Sequence, residues 1–286
     1  MDYLDQIVRY KREHRTAPAP DLERAISDAP PARPSFSGLG TFRTVVIAEC
    51  KKASPSRGLL VQSGYDPVGL AQEYEEAGAF AISVLTDEHF FQGSARDLMA
   101  VKSAVELPVL RKDFVLDERD LLEARAMGAD IVLLIARILD DPMLCGLLRA
   151  STVLGMEALV EVHNENEVHR ALAAGALVIG INNRDLESFV TDIEVTERLL
   201  PLIPAQVSTI SESGITTGAQ VARLREAGVR GVLVGETLIR AANAGMLLRE
   251  LVDAGCPDCW KERVNGEALK AGEVVGLPVS AQEVRT

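Results

Sequence analysis

Eight short apolar runs, most followed by a stretch of helical spacing, fix what this chain can become. The runs are residues 45–49 (VVIAE), 80–85 (FAISVL), 108–112 (PVLRK), 130–136 (DIVLLIA), 158–162 (ALVEV), 177–182 (LVIGIN), 207–211 (VSTIS) and 231–235 (GVLVG). Between them, PVGLAQEYEEAGA, DERDLLEARAMGA, NENEVHRALAAGA and TGAQVARLREAGV carry apolar residues at i, i+3, i+4 and i+7, the period of an amphipathic helix. Gly78, Gly128, Gly175 and Gly228 each close one of these helical segments, where a left-handed residue turns the chain back toward the next strand. Strand, helix, strand at this period means a parallel sheet with right-handed crossovers, and eight such units close into a barrel. The expected fold is α/β, a single (βα)8 barrel. A doubly wound open sheet is the alternative.

The length of 286 residues suits one barrel, which runs ~200–250 residues as a single unit, with segments to spare at both ends. We therefore expect an N-terminal helical extension and linker over 1–44, the barrel over 45–255 and a tail over 256–286. The net charge of −12 and the lack of a basic block argue against nucleic acid as a partner. No apolar run reaches the ~18 residues of a membrane span, and MDYLDQIVRYKREHR lacks the apolar core of a secretory signal, so the expected place is the cytoplasm, without membrane contact. Cys50, Cys145, Cys256 and Cys259 do not resemble a secreted disulfide framework and are expected to be reduced. Cys256 and Cys259 form one Cys-x-x-Cys pair, but a structural zinc needs four ligands and no second pair follows, so no metal is expected.

In a parallel barrel the active site lies at the carboxyl ends of the strands. Here those ends carry Glu49 and Lys51, Lys112, Glu161, Asn182 and Arg184, Glu212 and Ser213, and Gly235, whereas the entry ends carry mostly Ala, Gly, Pro and Val. Alternation puts Glu49 and Lys51 on the face of Ile47 and turns Cys50 the other way, toward the helices. A single lysine at a strand end is often only a solvated charge. Lys51, Lys112, Glu49 and Glu161 together are harder to dismiss, because inward charges are costly unless paired with one another or with a ligand. Ser213, Gly214 and Gly235 fall where barrels hold phosphate, so a phosphorylated small molecule is the expected partner. His163 and His169, six apart, do not share a helix face and read as surface residues.

The stretches IAECKKASPSRG, LTDEHFFQGS, PVLRKDFVLD, ALVEVHNENE, IGINNRDLESF, SESGI and LVGETLIR resemble, in order and spacing, the strand-end motifs of the indole-3-glycerol phosphate synthase family of tryptophan biosynthesis. LDQIVRYKREHR is similar to that family's extra helix in front of the barrel, and LERAISDAPPARPSF to its linker. The resemblance implies conversion of 1-(o-carboxyphenylamino)-1-deoxyribulose 5-phosphate by ring closure onto the ketone carbon, loss of carbon dioxide and loss of water. This lyase chemistry uses no cofactor. By the same resemblance Lys112 is the general acid of ring closure, and Lys51 lies near the substrate carboxylate, in position to donate the later proton. Glu161 is the base of dehydration, Glu49 and Asn182 hold the lysines and substrate in register, and Arg184 and Glu212 line the mouth. Ser54, Phe114 and Leu133 would wall the anthranilate ring, and Ser213, Gly214 and Gly235 hold the phosphate. Lys51 is expected to lower the pKa of Lys112 as a neighbouring cation. The family is often monomeric, and other enzymes of tryptophan synthesis are conceivable partners.

Two positions depart from the family pattern: some members carry lysine where this chain has Ala53, and some carry serine where it has Glu236. Both changes would weaken phosphate binding unless Glu236 points away. A phosphoribosylanthranilate isomerase-like barrel would need a Cys and Asp pair at strand ends and no lysine after the third strand. A noncatalytic scaffold would have lost its charged mouth, which this chain keeps.

Overall fold

The computed structural model describes residues 3–15, 21–36, 43–55, 58–61, 63–185 and 188–256. Eight parallel strands close into a barrel: β1 Val45–Cys50, β2 Ala81–Leu85, β3 Val109–Lys112, β4 Ile131–Ile135, β5 Glu157–Val162, β6 Val178–Asn182, β7 Ser208–Glu212 and β8 Gly231–Val234. Each pairs with its neighbours in sequence, and β8 returns to β1 through Val45↔Gly231 to Ala48↔Val234. Every strand matches one of the eight apolar runs, so the open-sheet alternative falls away.

The alternation of side chains splits the core into two apolar layers. Ile47, Leu110, Ile131, Leu133, Leu159, Ile210 and Leu233 fill the barrel. Val46, Ala48, Cys50, Val84, Val132, Val160, Ile181 and Val232 face the helices instead. Both faces of each strand are thus buried, which is why the runs read as continuous rather than alternating.

The crossovers are helices α3 Pro67–Glu76, α5 Ala95–Ala104, α6 Glu118–Ala126, α7 Asp141–Val153, α8 Glu165–Ala173, α9 Glu194–Leu199 and α10 Gly218–Ala227. The short α4 Glu88–Phe91 precedes α5, and α11 Glu236–Arg240 and α12 Ala244–Gly255 complete the ring. Their starts are written in side chains that accept free backbone N–H groups: Asp66, Ser94, Asp140, Asn164 and Asn243 cap α3, α5, α7, α8 and α12. Asp117 with Asp120, and Thr217 with Gln220, form capping boxes on α6 and α10. Gly78, Gly128, Gly175 and Gly228 have φ of 94, 86, 89 and 102°, the left-handed turn expected of them.

Residues before β1 cover both ends of the barrel. At the entry end, Phe36 plugs the interior and its N–H donates to Glu157 at 2.6 Å. Arg33 N–H and Lys102 Nζ meet Asp130 at 2.6 Å, so of the two acids that interrupt the apolar entry ends Asp130 is paired with a cation of α5, while Glu157 accepts hydrogen bonds from the linker. The linker includes α2 Leu22–Asp28, and Arg125 of α6 donates to the carbonyl of Pro30 at 2.7 Å. At the opposite end lies α1 Tyr3–Glu13. Cys50 and Cys145 carry free thiols. Cys256 is disulfide-bonded, which corrects the expectation that all four are reduced. Cys259 and the expected tail from 257 on lie outside the described residues. No described helix is long and apolar enough to cross a membrane.

Candidate active site

Strand parity decides what enters the mouth. Ile47, Leu110, Leu159 and Ile210 face inward, so Glu49, Lys112, Glu161 and Glu212, two residues further along β1, β3, β5 and β7, do too. Glu49, Glu161 and Glu212 are only 4, 3 and 2 % exposed, so each needs a counter-charge. Lys112 Nζ supplies it to Glu161 Oε2 at 3.0 Å and to Glu212 Oε2 at 3.2 Å. Lys51 Nζ pairs with Glu49 Oε1 at 2.6 Å. Asn182 donates to the other oxygen of Glu161 at 3.2 Å and accepts the N–H of Arg184 at 3.0 Å. Cys50 faces outward among the helices, where burial pushes its thiol pKa up.

Glu49, Lys51, Ser54, Lys112, Phe114, Leu133, Glu161, Asn182, Arg184, Glu212, Ser213, Gly214 and Gly235 all line one cavity. Leu133 and Phe114 form part of an apolar wall that Phe91 extends, its ring 6.1 Å from that of Phe114. Ser213 and Gly214 both hold positive φ, 68 and 82°, so the chain after β7 coils tightly at the rim. A side chain at Gly214 would strike Thr191 at 2.6 Å. Glu236 also lines the cavity, and Arg184 and Arg240 each approach its carboxylate at 3.2 Å.

The electrostatics differ from the expectation for Lys112. Burial works against its charge, but Glu161, Glu212 and Glu49 outweigh burial and raise its pKa. The expected lowering by Lys51 fails because Lys51 is itself paired with Glu49, leaving carboxylates as the neighbours of Lys112. The same crowding separates the acids. Burial, Glu161 and Glu49 push Glu212 up to about 7 against the pull of Lys112. Burial would raise Glu161 too, but Lys112 and His163 hold it below the usual carboxylate range.

Four parts of the site went unread in the sequence. Tyr3, Leu4 and Ile7 of α1 line the cavity, their spacing visible but their target not. Phe189 lines it from the loop after β6, and the Tyr3 ring packs edge-on against Phe189 and Phe90 at 5.8 Å each. Gly180 gives Glu212 room, since a Cβ there would stand 2.1 Å from its Oε1. His163 is no surface residue: its side chain is 10 % exposed and its Nε2 lies 3.4 Å from Glu161 Oε1. The period of a strand, not of a helix, governs it, two residues past Glu161. His169 is exposed as expected.

Comparison with known proteins gives a concordant picture. The family model described as indole-3-glycerol phosphate synthase matches residues 4–251. The indole-3-glycerol phosphate synthase of Desulfotalea psychrophila is 46% identical over 261 residues, 87% of this chain and 98% of that protein. The protein of the same name from Roseiflexus sp. is 47% identical over 262 residues, 87% and 97% of the two chains. A crystal structure of 3-hexulose-6-phosphate synthase covers 74% of this chain and 99% of its own at a TM-score of 0.56. At 18% identity it speaks to the fold alone.

Proposed function

The chain belongs to the indole-3-glycerol phosphate synthase family, and on that premise we propose how its barrel mouth carries out the reaction. The enzyme is a carboxy-lyase of tryptophan biosynthesis acting on a phosphorylated small molecule, 1-(o-carboxyphenylamino)-1-deoxyribulose 5-phosphate. Lys112 is the general acid of ring closure. The carboxylates around it keep it charged before substrate arrives, and the ketone oxygen takes its proton only as the new carbon–carbon bond pushes electrons onto that oxygen. Lys51 meets the substrate carboxylate and donates the later proton. Glu161 takes the proton lost in dehydration, while Glu49 and Asn182 hold the lysines and the substrate in register. Glu212 and Arg184 line the mouth. Ser54, Phe114 and Leu133 wall the anthranilate ring, and Ser213, Gly214 and Gly235 hold the phosphate.

The observation that carries this reading is the pairing of Lys112 with two buried acids, Glu161 and Glu212, beside an apolar wall. An isomerase-like site would have no lysine after the third strand. The reading extends to a cytoplasmic monomer working by side-chain acid–base chemistry alone, with 1–44 as an extension, 45–255 as the barrel and 256–286 as a tail. Incubating the purified chain with the carboxyphenylamino ribulose phosphate and following indole fluorescence tests it. Steady growth of the indole signal is expected, and its absence with folded protein overturns the assignment.

A further inference from the structure

The turn after β7 holds a conformation that its residue type disfavours. Ser213 has a φ of 68° although it carries a Cβ, and such a residue stays left-handed only where its surroundings impose it. The constraint comes from the end of β6. There Asn182 faces the cavity, so Asn183, the next residue, turns outward beneath α9, where it is only 1 % exposed.

Asn183 Oδ1 accepts the N–H of Thr196 at 3.1 Å and its hydroxyl at 2.8 Å. Its Nδ2 donates to Ser211 Oγ and to the carbonyl of Ser213, both at 3.0 Å. A backbone N–H only donates and a carbonyl only accepts, so Thr196 and Ser213 between them fix which way the amide lies. The Asn183 backbone is held as well: its N–H donates to the carbonyl of Glu212 and its carbonyl accepts from Asp192, both at 2.9 Å. The second of these bonds seats Thr191 beside Gly214, whose missing Cβ leaves room for the Thr191 methyl.

Asn183 does not line the cavity, whereas Ser213 and Gly214 do. What reaches the cavity from this network is a peptide plane. The carbonyl of Ser213 and the N–H of Gly214 belong to one trans peptide and point opposite ways. With the carbonyl drawn outward to Asn183, the N–H is turned toward the cavity, and no described residue accepts from it. Resting on the phosphate placement above, we propose that Asn183 is a positioning residue for the reaction. Clamped by Thr196, it holds the Ser213 carbonyl so that the Gly214 N–H meets the substrate phosphate.

The test compares the full chain with Asn183→Asp and Ser211→Ala, on the carboxyphenylamino ribulose phosphate and on the same compound without its phosphate. Asn183→Asp keeps the shape and the bonds from Thr196 but turns a carboxylate oxygen on the Ser213 carbonyl, so the peptide plane should rotate. KM for the phosphorylated substrate should rise on the order of tenfold, the worth of one hydrogen bond to a charged group, with kcat changed less than about threefold. On the phosphate-free compound kcat/KM should stay within about twofold of the wild type. Ser211→Ala removes a bond of the same network and leaves the Ser213 carbonyl held, so it should match the wild type on both substrates. In heteronuclear amide spectra the Gly214 signal of the wild type should shift when inorganic phosphate is added, and in Asn183→Asp it should not. Asn183→Asp with a wild-type KM, an equal loss on both substrates, or an equal loss in Ser211→Ala overturns the positioning role. Should Asn183→Asp not fold, Asn183→Ser, too short to reach Ser213, decides in the same way. A wild-type Gly214 signal that ignores phosphate overturns the phosphate placement and this inference with it, whereas a normal shift beside unchanged variants overturns this inference alone.

Discussion

Two protons of the Lys112 ammonium have a carboxylate to go to, Glu161 at 3.0 Å and Glu212 at 3.2 Å, so this side chain serves stability as well as chemistry. Lys112→Ala would leave two buried acids without their counter-ion, and breaking a buried pair from one side costs about 3–5 kcal/mol. A lower melting temperature at pH 7, recovering partly at pH 5 as the acids protonate, is the expected outcome. An unchanged melting temperature would mean the glutamates find another cation. In activity, Lys112→Ala should lose ~10²–10⁴ in kcat with little change in KM, the range for a missing general acid. Lys112→Arg keeps the charge but cannot release a proton near neutral pH, so it should be nearly as slow. Retention of more than about a tenth of wild-type kcat by the arginine variant would make Lys112 an electrostatic anchor and direct the search to Lys51. Glu236 offers a second test. It occupies Arg184 and Arg240 at the rim, so Glu236→Ser should remove an anion near the phosphate and lower KM by ~2–5-fold, the worth of a partly exposed charge. A KM that stays level would place the phosphate away from β8.

At the scale of elements, α1 is the one whose role the sequence concealed. The strands were legible because their period and apolar content fix them locally, and four helix C-termini because Gly78, Gly128, Gly175 and Gly228 carry the left-handed turn in their own backbone. Parity along those strands then delivered Glu49, Lys112, Glu161 and Glu212 to one mouth. Nothing local says where α1 docks, since Leu4 and Ile7 mark an apolar face without its partner. His163 escaped for a related reason: its spacing to His169 is a helical question, while its spacing to Glu161 is a strand question. In the folded chain Lys11 of α1 bonds Asp113, next to Lys112, and reaches Asp87 at 3.6 Å. Arg15 just beyond α1 reaches Asp120 at 2.7 Å. These ties hold Tyr3, Leu4 and Ile7 over the cavity. Lys11→Met should therefore loosen the cover, raising KM several-fold, on the order of 1 kcal/mol, while kcat falls less. High salt should reproduce part of the effect in the wild type by screening the partly exposed lysine end of the tie. A Lys11→Met enzyme with wild-type KM would show that the aromatic contacts of Tyr3 suffice.

For the whole molecule, the acids of the mouth and of the α1 junction bend stability in opposite directions with pH. Asp113 is buried, which alone would raise its pKa, but Arg111 and Lys11 pull it well below its ordinary 3.8. Burial likewise opposes the lowering of Glu161 and Glu167, whose partners Lys112 and His163 prevail over an ordinary 4.5. A group whose folded pKa is depressed contributes stability above its unfolded pKa and loses it as pH falls toward the folded one. These three acids therefore predict a loss that begins below about pH 4.5. Glu212 runs the other way: its pKa is raised from 4.5 to about 7, so the folded state holds the proton more tightly, and that contribution fades as pH climbs from 4.5 through about 7. His163 adds to the same side. Burial would lower it, but Glu167 and Glu161 raise it above 6.5, so its contribution is complete below that value and is lost as pH rises through the folded pKa. The ligand-free protein should thus melt highest near about pH 5–6 and lower on both sides. Melting temperatures from pH 3 to 9 at constant ionic strength check the curve, and Glu212→Gln should flatten its alkaline limb while leaving the acid limb in place. A wild-type melting temperature that climbs steadily from pH 6 to 8 would mean that Glu212 is ionised throughout that range in the folded barrel, its charge fully answered by Lys112.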